Sequence, residues 1–167
     1  KRVVRFGCMY NALNAVGNKE AIDLIWKVSD AIRFIPPFEA IKDAVVSRIR
    51  AHSPTGHFTA LQLRVEQDWL HFCPAYKDSG NCMGNEDVLH GVLAIERVPT
   101  TDPIYVMTGV PFETLQHDRR FATMLRMYTV VAKDKAWPLT FQPFVGTATA
   151  DILSLIDFAI GREADRF

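Results

Sequence analysis

The order of apolar and polar positions divides this chain into segments of two periods. From Lys19 onward Ala21, Ile22, Leu24, Ile25, Val28 and Ile32 recur at helical spacing. Pro36-Pro37 forbids continuation, because proline lacks the backbone donor and restrains its predecessor. A second helix follows, with Pro37 near its first turn. Phe38, Ile41, Ala44, Val45, Val46 and Ile49 form a stripe against Glu39, Lys42, Asp43, Arg48 and Arg50, and the stretch from His52 to Gly56 ends it. Residues 58–66, FTALQLRVE, then alternate with period two. Thr59, Leu61, Leu63 and Val65 share one face, and Phe58, Ala60, Gln62 and Arg64 the other, as in a strand.

About twenty residues containing Pro74, Gly80, Asn81 and Gly84 read as a long loop, and a loop of that length in a compact domain is usually either functional or mobile. Asn85 with Glu86 and Asp87 starts a third helix whose buried side is Val88, Leu89, Val92, Leu93, Ile95 and Val98, ending near Pro99. The remaining pattern predicts a strand at 104–108, a helix from Glu113 to Leu125, a strand from Met127 to Ala132, a helix from about Ala150 to Arg162, and a strand opening at Asp165-Arg166-Phe167. The first 18 residues have no sustained period and read as a strand plus loop. Alternating strands and helices at this spacing predict an α/β fold, a Rossmann-like parallel sheet with helices on both faces. Residues 1–56 read as an N-terminal segment bearing two helices, and 57–167 as the sheet domain.

Length and composition narrow the class. At 167 residues the chain suits one domain burying roughly two thirds of its unfolded surface, so a core forms without metal or disulfide staples. Apolar residues at 49% and charged residues at 23% exclude disorder and fibrous repeats. Lys plus Arg and Asp plus Glu each number 19, leaving no net field to draw nucleic acid or an anionic bilayer. No apolar run reaches the length of a membrane span. Starting at Lys1 without a methionine or signal pattern, and stopping as a strand opens, the chain reads as a piece of a longer protein.

Ligands of parallel sheets bind at the carboxyl ends of strands, near the reversal in strand order. That rule selects Arg64 to Trp69, Thr108-Gly109 and whatever follows Phe167. Arg64, a permanently charged fork at a strand end, suits a phosphate, or else pairs with Glu66 and Asp68 in a solvated cluster. Trp69 stacks on a base or sugar, or anchors loop packing. Asp157 is the only charge between Ile152 and Ile160 and shares a face with Leu153 and Ile160, so its carboxylate requires donors. A guanine edge would supply them, and so would protein groups. Cys73 and Cys82 lie nine residues apart in the long loop, either bridged in an oxidising compartment or free. The five histidines show no zinc-ligand spacing, and there is no G-x-S-x-G, Walker or phosphatase-loop pattern.

The segment LQLRVEQDWLHFC, Leu61 to Cys73, resembles the His-Leu-Arg-x-Gly-x-Asp-Trp signature of the GDP-fucose protein O-fucosyltransferases and related plant O-fucosyltransferase-like proteins. Arg64, Asp68 and Trp69 fall on its arginine, aspartate and tryptophan. IYVMTG at 104–109 and Glu-Ala-Asp-Arg-Phe at 163–167 stand where that family has a strand ending in Ala-Thr-Asp or Ala-Thr-Gly and a final Ala-Asp or Ser-Asp, one variable residue, then Phe. The likeness runs from about Ile22 to Phe167. It implies the C-terminal, donor-binding half of a GT-B glycosyltransferase that transfers fucose from GDP-fucose to a hydroxyl of a protein or glycan with inversion, in the endoplasmic reticulum or Golgi lumen. Arg64 would stabilise the departing diphosphate, Asp157 would read guanine, and Gln62, Asp68, Trp69, Thr108 and Asp165 would shape the donor site. Cys73 and Cys82 would form a loop disulfide. No cofactor or metal is implied; GDP-fucose is a substrate, and no Asp-x-Asp motif is present for a metal-bridged diphosphate. Two positions depart from the signature: Gln62 replaces its histidine and Glu66 its glycine. The alternative is a catalytically degenerate module that binds a nucleotide or glycan, or a scaffold in which Arg64 merely pairs with its acidic neighbours.

Overall fold

A computed structural model describes residues 23, 27, 31, 33–63, 65, 97–137 and 150–166. The chain divides into two compact units, Lys1–Pro36 and Pro37–Phe167. In the first, Asp23, Lys27 and Ala31 are helical and exposed, at the spacing of the polar side of the first expected helix. The second unit begins about twenty residues before the 56/57 boundary expected from the sequence, because the helix before that boundary belongs to its core.

That helix is α1, Pro36–Arg50. Its two prolines occupy the first turn, where a missing N–H costs nothing. Glu39 near its start and Arg48 and Arg50 near its end complement the helix dipole. It buries Ile41, Val45, Val46 and Ile49. Strands β1 (Thr59–Gln62), β2 (Ile104–Met107) and β3 (Val130–Ala132) form a parallel sheet in that order. Thr59 pairs with Ile104 and Gln62 with Met107, while Ile104 pairs with Val130 and Val106 with Ala132. On the other side of β1 an isolated parallel bridge joins Thr59 to Arg166, where the sequence predicts the last strand to open.

Between β2 and β3 the expected single helix is broken. Helix α2 (Phe112–His117) stops at Asp118, whose extended backbone (φ −85°, ψ 119°) leads into a 3₁₀ turn, Arg119–Phe121, and then α3, Ala122–Met127. The cause is local. The Asp118 side chain accepts the Arg120 backbone N–H at 2.9 Å and holds the Arg120 guanidinium, offering the backbone an alternative to the helical ladder. The hydrogen bonds from the Arg120 guanidinium, joined by the Arg120 amide and charge, outweigh desolvation and hold the Asp118 carboxyl below the ordinary carboxylate range. Helix α3 reaches Met127, so β3 starts at Val130 and not at Met127. The one-turn helix α4 (Lys133–Ala136) follows β3 directly, and α5 spans Ala150–Gly161 as its periodicity predicts. The third expected helix, from Asn85, lies outside the described residues apart from its end at Arg97 and Val98.

Both faces of the sheet are covered. On one, Phe58, Ala60, Tyr105, Met107 and Val131 pack with the apolar stripe of α1, with Ala136 and Trp137, and with Ile156 and Ile160 of α5. On the other, Leu63, Val65, Ile104 and Val106 pack with Leu115, Phe121 and Met124. This two-faced burial explains why β2 reads as a continuous apolar run with every residue buried.

Replacing the fully buried Ile49 by Ala should cost about 2–5 kcal/mol of folding free energy, and replacing it by Val about 0.5–1.5 kcal/mol. Phe158→Ser on the exposed side of α5 should stay within about 0.5 kcal/mol of the parent. Urea unfolding followed by circular dichroism measures all three, and an Ile49→Ala variant as stable as Phe158→Ser would overturn this core assignment.

Candidate functional site at the carboxyl edge of the sheet

Three parallel strands end at one edge, and their last residues stand side by side. Gln62 is exposed at the end of β1, paired in register with Met107 of β2. Thr108 follows Met107 and is half-buried; its Oγ1 accepts the Val110 N–H at 3.2 Å, turning the chain away from the sheet. Lys133 follows Ala132 at the end of β3. Neighbouring parallel strands lie about 4.8 Å apart. The register thus brings Gln62 and Thr108, two of the residues selected from the sequence, to adjoining positions and adds Lys133 beside them.

Leu63 and Val65, the sequence neighbours of Arg64, are buried, and the Leu63 N–H donates to the Met107 carbonyl at 3.0 Å, so the chain still tracks β2 one residue past Gln62. Arg64 itself, with Asp68, Trp69, Cys73 and Cys82, lies outside the described residues.

Asp157 sits beneath this edge on α5. It is 7% exposed, and each carboxylate oxygen has its own partner. The Tyr105 hydroxyl donates to Oδ1 at 2.7 Å, and the Lys133 ammonium lies 2.6 Å from Oδ2. Tyr105 reaches it from the middle of β2 with no exposed surface of its own. The donors that the apolar surroundings of Asp157 demand are therefore supplied by the protein, in place of the guanine edge that the sequence resemblance implies. Burial pushes the Asp157 carboxyl above the ordinary range, against the opposing pull of the Lys133 charge and the Lys133 and Tyr105 hydrogen bonds. Tyr105 and Lys133 were not selected from the sequence. The available signals were a tyrosine inside an otherwise aliphatic strand and a lysine immediately after one, and both acquire meaning only through the strand register.

Asp165 lies at the opposite edge. Its backbone N–H donates to the Phe58 carbonyl at 3.0 Å, which levels it with the residue before β1 and not with the strand ends. Its Oδ2 accepts the Phe58 N–H at 3.0 Å, and its Oδ1 lies 2.5 Å from His57 Nδ1. Desolvation raises the Asp165 carboxyl, but the His57 hydrogen bond, the Phe58 amide and the charges of His57 and Arg50 outweigh it and hold the group below the ordinary range. Asp165 is thus separated by the length of β1 from Gln62 and Thr108, with which the sequence groups it, and it does not line the carboxyl edge.

Among the described residues no group of three or more His, Cys, Asp or Glu side chains is placed to hold a metal ion, and no helix is long and apolar enough to cross a membrane. Compared with protein-family models, curated proteins and solved structures, the chain gives no match.

The buried pair generates a prediction with a definite sign. Lys133→Met leaves Asp157 without its cation and should cost about 3–5 kcal/mol, whereas the double variant Lys133→Met/Asp157→Leu should recover much of that loss. Because the folded state raises the Asp157 carboxyl, it binds a proton that the unfolded state has already released. Stability should therefore fall as pH rises from the ordinary carboxylate value of 3.8 toward the raised one, and this slope should vanish in Asp157→Asn. Denaturant unfolding from pH 4 upward reads both effects; identical pH slopes in parent and Asp157→Asn would refute the assignment.

Proposed function

We propose that this chain is the donor-binding half of a GDP-fucose-dependent glycosyltransferase of the GT-B type, acting on a hydroxyl of a protein or glycan. The observation that carries the reading is where the Leu61–Trp69 motif leaves the sheet. It begins in β1, which lies between β2 and the Arg166 bridge, where the strand order reverses, and its first residues, Leu61 and Gln62, end that strand at the carboxyl edge. That is where parallel sheets bind nucleotides.

In this reading Arg64 contacts the diphosphate and glycosidic oxygen. As the acceptor hydroxyl attacks the fucosyl carbon from the opposite side and gives up its proton to solvent, the bond to the diphosphate breaks, its electron pair leaves with GDP, and the guanidinium stabilises the charge that develops. Loss of one such group costs on the order of a hundred- to a thousandfold in turnover. Gln62 and Thr108 line the adjoining edge, and Asp68 and Trp69 shape the donor pocket. Guanine recognition is not assigned to Asp157, whose oxygens are engaged by Tyr105 and Lys133 in the core. A lumenal compartment and a Cys73–Cys82 bridge accompany the proposal.

Calorimetric titration with GDP-fucose, with a UDP-sugar as control, tests it. Binding selective for GDP-fucose and weakened about 10- to 100-fold in Arg64→Ala is the expected result, the range for losing a charged hydrogen bond. Binding without transfer to any hydroxyl acceptor would favour a degenerate binding module, for which Gln62 in place of the signature histidine is the feature to examine. A well-folded protein that binds neither nucleotide would leave Arg64 as part of a scaffold.

A further inference from the structure

We propose that Lys133 is an anion-contacting residue of the carboxyl edge, meeting the diphosphate of a bound nucleotide from the β3 side. The identity of the nucleotide rests on the function proposed above; the anion contact rests on strand register and on the pairing of Lys133 with Asp157.

Register fixes where this residue stands. Ala60, Tyr105 and Val131 pair in a row across the three strands, and all three pack on the face that α5 covers. Two residues further along a strand the side chains return to the same face. Those residues are Gln62, Met107 and Lys133. Ala132 is still extended (φ −107°, ψ 166°), so Lys133 takes the next step after β3 as the first residue of α4. With neighbouring strands about 4.8 Å apart, Gln62 and Lys133 stand roughly 10 Å from each other with Met107 between them. Met107 is buried and Gln62 exposed, so an apolar side chain separates an open amide from an ammonium at the end of the sheet.

The ion pair has a direction as well as a place. Tyr105 has no exposed surface, the Asp157 side chain is 9% exposed and the Lys133 side chain 16%, so exposure rises from the core along the series Tyr105, Asp157, Lys133. The carboxylate is the inner partner, taking the Tyr105 hydroxyl at 2.7 Å and the ammonium at 2.6 Å. Although the pair is neutral as a whole, its positive end is the more exposed one, and an anion at the edge meets that end first. An ammonium carries three N–H donors. Among the described residues Asp157 is the only side-chain partner of Lys133, which leaves donors for a second acceptor. The ionised oxygens of a diphosphate make charge-assisted hydrogen bonds with such donors, and lysine meets phosphate as a point charge that requires no planar match.

Calorimetric titration of the full chain with inorganic pyrophosphate and with GDP tests the contact through two variants that both destroy the ion pair. Lys133→Met/Asp157→Leu removes both charges and keeps the space filled. Asp157→Asn removes the carboxylate alone and keeps an acceptor for the Tyr105 hydroxyl. Both ligands should bind about tenfold more weakly to the double variant, the loss expected for one charged hydrogen bond. They should bind about threefold more tightly to Asp157→Asn, where the ammonium no longer faces an opposite charge. A pair that only supports the fold shifts both variants in the same direction or shifts neither, and either result overturns the contact. Circular dichroism establishes that each variant is folded, and Asp157→Asn carries the measurement where the double variant is not. A parent protein that binds pyrophosphate but prefers GDP no more than UDP overturns the proposed donor, while the opposite shifts still decide Lys133. Binding of GDP-fucose that neither variant alters overturns the contact alone, and a folded parent that binds none of these ligands overturns both.

Discussion

A parallel sheet with two apolar faces cannot stand alone, and most of this architecture follows from that constraint. Each strand must be followed by a connection that covers a face and returns the chain to the starting edge. Among the described residues, helices carrying apolar stripes supply that cover, α1 ahead of β1 and α5 after β3 on one face, and α2 and α3 between β2 and β3 on the other. The same geometry gathers every strand's carboxyl end along one edge. The adjoining positions of Gln62, Thr108 and Lys133 are a consequence of covering the sheet, available for a site before any particular chemistry is selected.

Charges inside such a structure survive only where the fold completes them. Asp157 points from α5 into the core, and its partners come from β2 and from the first residue after β3, so one buried carboxylate ties a helix to two strands. An apolar residue of similar size would cost less in desolvation. What the pair contributes is specificity, since a rotation or slide of α5 would strand both the carboxylate and the ammonium. At the opposite edge the contacts follow the same logic nearer the surface, with Asp165 taking the Phe58 amide and His57, and Arg166 reaching the buried Asp102. Lys42 adds a softer version: burial lowers its ammonium, but Glu39, Asp43 and Glu163 together raise it well above the ordinary range, tying α1 to the approach to the last strand.

Period was the part of this fold most legible in the sequence. The stripe of α1, the alternation at 58–66 and the apolar run at 104–107 depend on burial alone, and burial leaves its mark at fixed spacing. Competition between local hydrogen bonds does not. Nothing in the apolar pattern of Glu113 to Leu125 distinguishes a continuous helix from one interrupted at Asp118, because the interruption comes from the Asp118 carboxylate taking the Arg120 amide. The compact units divide elsewhere than the 56/57 boundary that the sequence suggests for a related reason: Pro36-Pro37 and the 52–56 turn are both chain breaks, and only packing shows that α1 buries its stripe against the sheet.

The site was legible in type but not in position. The isolation of Asp157 among Ile and Leu residues demands partners, yet a single sequence cannot name a tyrosine 52 residues away or a lysine 24 residues away. Asp165 shows the opposite difficulty. Its placement within a motif suggests a ligand contact, but the parallel pairing that levels it with Phe58 puts it at the amino edge. Residues close together in a motif can serve opposite ends of a strand, because each step along an extended chain covers about 3.3 Å. In this fold, therefore, strand register decides which edge of the sheet a polar residue serves.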